Sequence, residues 1–179
     1  GLAVLSSGGR EVGGDVILIQ VSAINGPAKV EVTGSHGPEL RDSVRAVYNL
    51  VRANFREFGV PETRLTGQTV AVHLVKIAEP KEGPSAGLAF AVGIVSALAN
   101  RPVNPGFAFT GEVALHGDVG AVGGLSHKIA AAVRAGRTHV VVPAANAKDV
   151  AALPGDLTAK VQVHAVSTAA EALALALGP

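Results

Sequence analysis

The chain has 179 residues, 48% hydrophobic, 16% charged and 3% aromatic, with fifteen Lys and Arg against fourteen Asp and Glu and a formal net charge of +1. That length holds one domain with a sizeable core. The balanced charge, with one Tyr, five Phe and no Trp, argues against a dedicated nucleic-acid binder, which needs a basic surface and rings to stack on bases.

With no Cys, a disulfide framework, a thiol nucleophile and a thiolate metal site are excluded, and a reducing, cytoplasmic location is expected. The chain opens Gly1-Leu2-Ala3 and contains no Met, so it is expected to be a piece of a longer polypeptide. No charged segment followed by an apolar core and a small-residue cleavage site opens it, and no secretory signal is expected.

Leu2 to Leu5, Asp15 to Ile24 and Lys29 to Val32 are rich in Val, Ile and Leu. Ser6-Ser7-Gly8-Gly9, Gly13-Gly14 and Asn25-Gly26-Pro27 lie between them as turn chemistry, which predicts an antiparallel meander. From Pro38 the period changes. Leu40, Val44, Val47 and Val51 form one helical stripe with Arg41, Arg45 and Arg52 off it, predicting a helix that runs to about Phe58 and stops at Gly59. Thr69 to Ile77 reads as a strand, and Glu79 to Pro84 as a polar loop ending in a residue favoured at the first helical position.

The segment from Gly83 to Asn100 is uncharged, yet it contains Pro84, Gly87, Gly93 and three polar residues. It falls short of the ~20 mostly apolar residues of a membrane span, so a buried helix over Ser85 to Ala99 is expected. Phe107 to Gly124 is punctuated by glycines and reads as a hairpin with a tight turn. A helix from about Leu125 to Ala135, a strand His139 to Val142, a short helix near Ala147 to Leu153, a strand Lys160 to Val166 and a helix Thr168 to Leu177 complete the chain. An early meander followed by strand-helix alternation gives a single domain over residues 1–179, of the α+β or mixed α/β class.

Three groups of residues could carry chemistry. In Lys81-Glu82-Gly83-Pro84-Ser85-Ala86-Gly87 a serine stands at a helix start, where unpaired N–H groups and the positive dipole end favour a developing oxyanion. The same residues spell G-x-S-x-G, with Asp156 and His164 following in hydrolase order. The strand that such an elbow requires is replaced by the polar loop before Ser85, so a Ser-His-Asp triad is disfavoured. The second group centres on Lys128 in Gly123-Gly124-Leu125-Ser126-His127-Lys128-Ile129. It sits at the edge of a helix's apolar face, where desolvation lowers an ammonium pKa from ~10.4 toward the ~7 to 8 range of a general base. The bland alternative is a lysine that snorkels to solvent. Ser-Lys pairs are a known form of nucleophile activation. The third group, Thr110-Gly111-Glu112 with His116 and Asp118, has neither a Walker A sequence nor a strand-helix G-x-G-x-x-G. The six histidines show no paired ligand spacing, and no metal site is expected.

Together these segments resemble the proteolytic domain of Lon proteases along nearly the whole chain. Lys81 to Gly87 resembles the family's P-K-D-G-P-S-A-G motif. Thr110-Gly111-Glu112, then Gly117-x-Val119, Gly123-Gly124-Leu125 and Lys128, resembles its T-G-E segment and G-G-L-x-x-K motif. Glu11-Val12-Gly13-Gly14-Asp15, and Val141-Val142-Pro143 with Asn146 and Asp149, match two further landmarks. The resemblance implies Ser85 as nucleophile and Lys128 as general base of a serine endopeptidase acting on unfolded proteins. Thr110 is implied to orient Lys128, with Glu112 and His73 at polar positions near the site and Glu82 standing where the family has Asp. Backbone around Gly83, Pro84 and Ala86 would bind the oxyanion and substrate. The resemblance further implies a homo-hexameric ring and an ATPase module, using ATP and Mg, upstream or in trans. No cofactor in this domain, no membrane partner and no nucleic-acid partner are expected. The competing expectation is an inert scaffold on the same fold, as in RadA-type DNA recombination proteins, which lack the Ser-Lys pair.

Overall fold

The computed structural model describes residues 2–7, 10–34, 37–75 and 84–177, with the backbone alone for 2–7, 10–12 and 84. Strands β1 (Leu2–Ser7) and β2 (Arg10–Val16) form an antiparallel ribbon. Ile17 is buried and ends it, so the single strand expected from Asp15 to Ile24 is two, the second being β3 (Leu18–Asn25).

The α+β class stands, but the first strands do not pair as a sequential meander. A second sheet has β5 (Gln68–Val75) between β3 and β4 (Lys29–Gly34), antiparallel to β3 and parallel to β4. The central position follows from burial: Val70, Val72 and Leu74 of β5 are all buried, whereas β3 and β4 alternate half-buried with exposed residues and suit the edges. A parallel β4–β5 pair needs a crossover. Helices α1 (Pro38–Ala53) and α2 (Glu62–Gly67) supply it. The expected stripe of α1 is buried in full. The helix ends at Ala53, short of Phe58, because both the backbone N–H and the side-chain amide of Asn54 donate to the Leu50 carbonyl and satisfy the helix end. Nothing in the hydrophobic pattern marked α2.

A turn of 3₁₀ helix (Pro84–Ala86) leads into α3 (Gly87–Ala99), which is buried nearly all round and packs against α1, β3 and the last helix of the chain. At 13 residues it is a core element, and no helix among the described residues is long and apolar enough to cross a membrane.

The third sheet is parallel, in the order β10 (Gln162–Val166), β9 (His139–Pro143), β6 (Phe107–Phe109). The hairpin expected over Phe107 to Gly124 is thus smaller: β6 joins this sheet, and only β7 (Glu112–Val113) pairs with β8 (Val119–Gly120). Helix α4 (Leu125–Arg134) precedes β9, α5 (Ala147–Ala151) and α6 (Gly155–Thr158) separate β9 from β10, and α7 (Ala169–Leu177) follows. Val141 and Val166 on one face of this sheet join the α1–α3–α7 cluster. Val140 and Val142 on the other join Leu125, Ile129 and Ala132 of α4. Burial on both faces explains the unbroken valine run of β9.

Candidate active site

Ser85 lies in the 3₁₀ turn just ahead of α3 and is 6% exposed. Its carbonyl accepts the Gly111 N–H at 2.8 Å and the Thr110 hydroxyl at 3.4 Å, while Leu88 N–H, in the first turn of α3, donates to the Gly111 carbonyl at 3.0 Å. The Thr110-Gly111 segment is itself anchored, since Thr110 N–H donates to Val141 of β9 at 3.0 Å. Gly87 has no alternative in this lacing: a Cβ there would stand 2.9 Å from the Val113 backbone nitrogen and 3.3 Å from the Gly111 carbonyl oxygen.

Lys128 lies in the first turn and a half of α4, where Gly124 enters the helix in the left-handed region at φ 62°. Leu125, Lys128, Ile129 and Ala132 follow i, i+3, i+4, i+7, so the lysine belongs to the buried stripe itself rather than to its edge. It is 0% exposed. Lysine is almost never fully buried without compensation, because an ammonium loses its hydration there. Burial favours the neutral amine, and so does the positive end of the helix dipole close behind it.

The ribbon ties the two halves together. β1 lies against both the Ser85 turn and α4, and β2 packs along α4. Contact with β2 is so close that a Cβ on Gly14 would stand 2.2 Å from the His127 carbonyl oxygen and 3.1 Å from the Lys128 nitrogen. The Arg134 guanidinium donates to the Gly14 carbonyl at 2.7 Å and holds the other end of α4.

Among the described residues the Ser85 hydroxyl has no hydrogen-bond partner, so no Ser85–Lys128 hydrogen bond is formed. Thr110 is wholly buried, and its described side-chain bond goes to the Ser85 carbonyl. Glu112 is exposed on β7 opposite Gly120. His73 is on the solvent face of β5, its ring 2.9 Å from the Thr33 hydroxyl. Ala86 is buried in the serine turn and Pro84 opens that turn, while Glu82 and Gly83 lie outside the described residues. Asp156 and His164, the triad order weighed in the sequence, sit on α6 and β10, and His164 bonds His139 at 3.0 Å. No described hydrogen bond joins either to Ser85. Sequence reasoning named Gly14 and Asn146 only as family landmarks and gave them no role: Gly14 lies hard against α4, and the Asn146 amide binds the loop before α4. Each shows only when segments distant in sequence are packed together.

The model of the Lon protease (S16) C-terminal proteolytic domain matches residues 4–179. The chain belongs to this family. It is 39% identical over 167 residues to Lon protease 1 of Sorangium cellulosum strain So ce56, covering 93% of this chain and 21% of that protein. It is 36% identical to the Lon protease of Salinispora arenicola strain CNS-205 over all of this chain and 22% of the relative, and 37% identical to that of Escherichia coli strain K12 over 93% and 21%. The chain therefore spans about a fifth of the length of the curated relatives it matches.

Proposed function

We propose that this chain is the peptide-hydrolysing unit of a Lon-type protease, with Ser85 as nucleophile and Lys128 as its general base. The observation that carries the reading is the complete burial of Lys128 on the apolar stripe of α4, tied through the ribbon to the turn that holds Ser85. A neutral amine takes the hydroxyl proton as Ser85 Oγ attacks the scissile carbonyl, and the resulting ammonium returns that proton to the leaving amine. The acyl-enzyme is then hydrolysed by a water that Lys128 deprotonates in turn. Because Leu88 N–H is committed to Gly111, the oxyanion donors are assigned to the 3₁₀ turn at Ser85 and Ala86. The Ser85–Lys128 hydrogen bond forms on substrate binding, as catalytic hydrogen bonds commonly tighten only in the complex. Thr110 holds the nucleophile turn through the Ser85 carbonyl, and the orienting role toward Lys128 is proposed beside it.

The substrates proposed are unfolded polypeptides. Folded ones would require an ATPase module, with ATP and Mg bound there, because no Walker A sequence occurs in the 179 residues. A homo-hexameric ring is the proposed assembly.

Ser85→Ala and Lys128→Ala in the complete natural polypeptide, assayed on casein, are each expected to lower turnover by about 10⁴-fold or more. Either variant cleaving at the parent rate would sink the dyad. A parent without peptidase activity that binds DNA would favour the scaffold reading.

A further inference from the structure

Asn146 is 2% exposed and every hydrogen-bonding group of its amide is engaged. Its Oδ1 accepts the Val122 N–H at 3.0 Å, while its Nδ2 donates to the Val122 carbonyl at 2.9 Å and to Asp149 Oδ2 at 2.6 Å. The side chain thus imitates a neighbouring strand, pairing with both backbone groups of one residue. Asp149 sets the orientation, since an ionised carboxylate only accepts and holds the NH₂ end toward itself.

Val122 stands just ahead of Gly123-Gly124, and α4 begins at Leu125. A glycine pair leaves the approach to the helix free to adopt many conformations, and no side chain caps it. Asn146 ends the 3₁₀ turn (Ala144–Asn146) that follows β9, whose Val141 carbonyl receives the Thr110 N–H next to the Ser85 turn. One doubly buried strand therefore anchors both sides: Thr110-Gly111 and Ser85 in its middle, Val122 and the lysine helix at its end.

We propose that Asn146, oriented by Asp149, is a positioning residue that sets the start of α4 and with it the place of Lys128 relative to Ser85. This rests on the Ser85–Lys128 reading. Asn146→Asp is nearly isosteric, loses the donor to the Val122 carbonyl and sets one carboxylate against another. Freed at its start, α4 lets water reach Lys128 and favours the ammonium, so the acid limb of activity moves to higher pH.

The test is made in the complete natural polypeptide, with casein turnover measured across pH for Asn146→Asp, Asp149→Ala, Asn146→Asp/Asp149→Asn and Lys128→Ala. Asn146→Asp is expected to lower kcat about 10- to 100-fold with KM little changed, as ~1 Å misplacements do, and to move the acid limb upward. In the double variant an amide again faces a carboxylate, so activity is partly restored. Asp149 is exposed, so Asp149→Ala folds regardless and shows a smaller change in the same direction. Loss of activity in Lys128→Ala, with the parent pH profile and kcat in Asp149→Ala and in any folded Asn146→Asp, overturns this inference alone. Parent activity in Lys128→Ala overturns the dyad reading beneath it.

Discussion

Two buried polar side chains of similar exposure have opposite consequences. Lys128 is kept from water at a cost that its proposed role requires, whereas Tyr48 is 4% exposed and its hydroxyl has no hydrogen-bond partner among the described residues. Burial raises the Tyr48 pKa, and the nearby Arg52 guanidinium opposes this more weakly. An unsatisfied buried hydroxyl forfeits its hydration without a replacement bond. Tyr48→Phe is therefore expected to raise stability by about 1 kcal/mol, read as a higher urea midpoint with unchanged slope. Activity should not change, because the Tyr48 hydroxyl makes none of the hydrogen bonds that lace the serine turn.

At the level of elements, the site is an arrangement of one turn, one helix and the ribbon that touches both. Its tightest point is β2 against α4, where only a hydrogen fits between the Gly14 α-carbon and the His127 carbonyl. Both partners there are backbone, so neither can rotate aside. Gly14→Ala should push the ribbon and α4 apart, costing about 1–3 kcal/mol in thermal or urea unfolding. Turnover should fall by more than stability alone explains, since the displaced segment carries Lys128. Gly136→Ala is the natural control: nothing lies within 4 Å of a Cβ there, although its φ of +69° adds some strain at the end of the same helix. Equal turnover losses in the two variants would refute the ribbon's part in placing the lysine.

The molecule as a whole is organised around the parallel sheet β10-β9-β6, with one apolar cluster on each face. His139 and His164 share a hydrogen bond at 3.0 Å on this sheet, and Phe107 stacks on His139 with ring centroids 4.6 Å apart. Burial lowers the His164 pKa, and the neighbouring His139 adds to the effect. Above the unfolded-state value near 6.5 both states are neutral, so the contribution is fully present. As pH falls through that value the unfolded chain binds a proton that the folded chain resists, and stability is lost until the pH drops below the folded value. The thermal midpoint should thus decline as the pH falls through about 6.5 and below, and His164→Asn should make that decline shallower. An unchanged slope in the variant would remove His164 from the account.

Local pattern determined much of this protein without any structure. The stripe Leu40, Val44, Val47, Val51 gave a helix because 3.6-residue periodicity needs no partner to be recognised, and the valines of β9 marked a strand. Ser85 and Lys128 stood out as candidates through motifs, which are short and contiguous. Strand order was not: the turn between β3 and β4 suggested a hairpin, and only the burial of β5 between them, a long-range gain, decided the pairing. The same holds for the site. Lys128 moved from the edge of an apolar face to its interior because the packing of α4 against β2 and the third sheet closes over it, and Asn146 reached Val122 only because β9 delivers it there. Residue types and helical periods are properties of neighbours in sequence, whereas burial, close backbone approach and the pairing of distant groups exist only once the chain has packed.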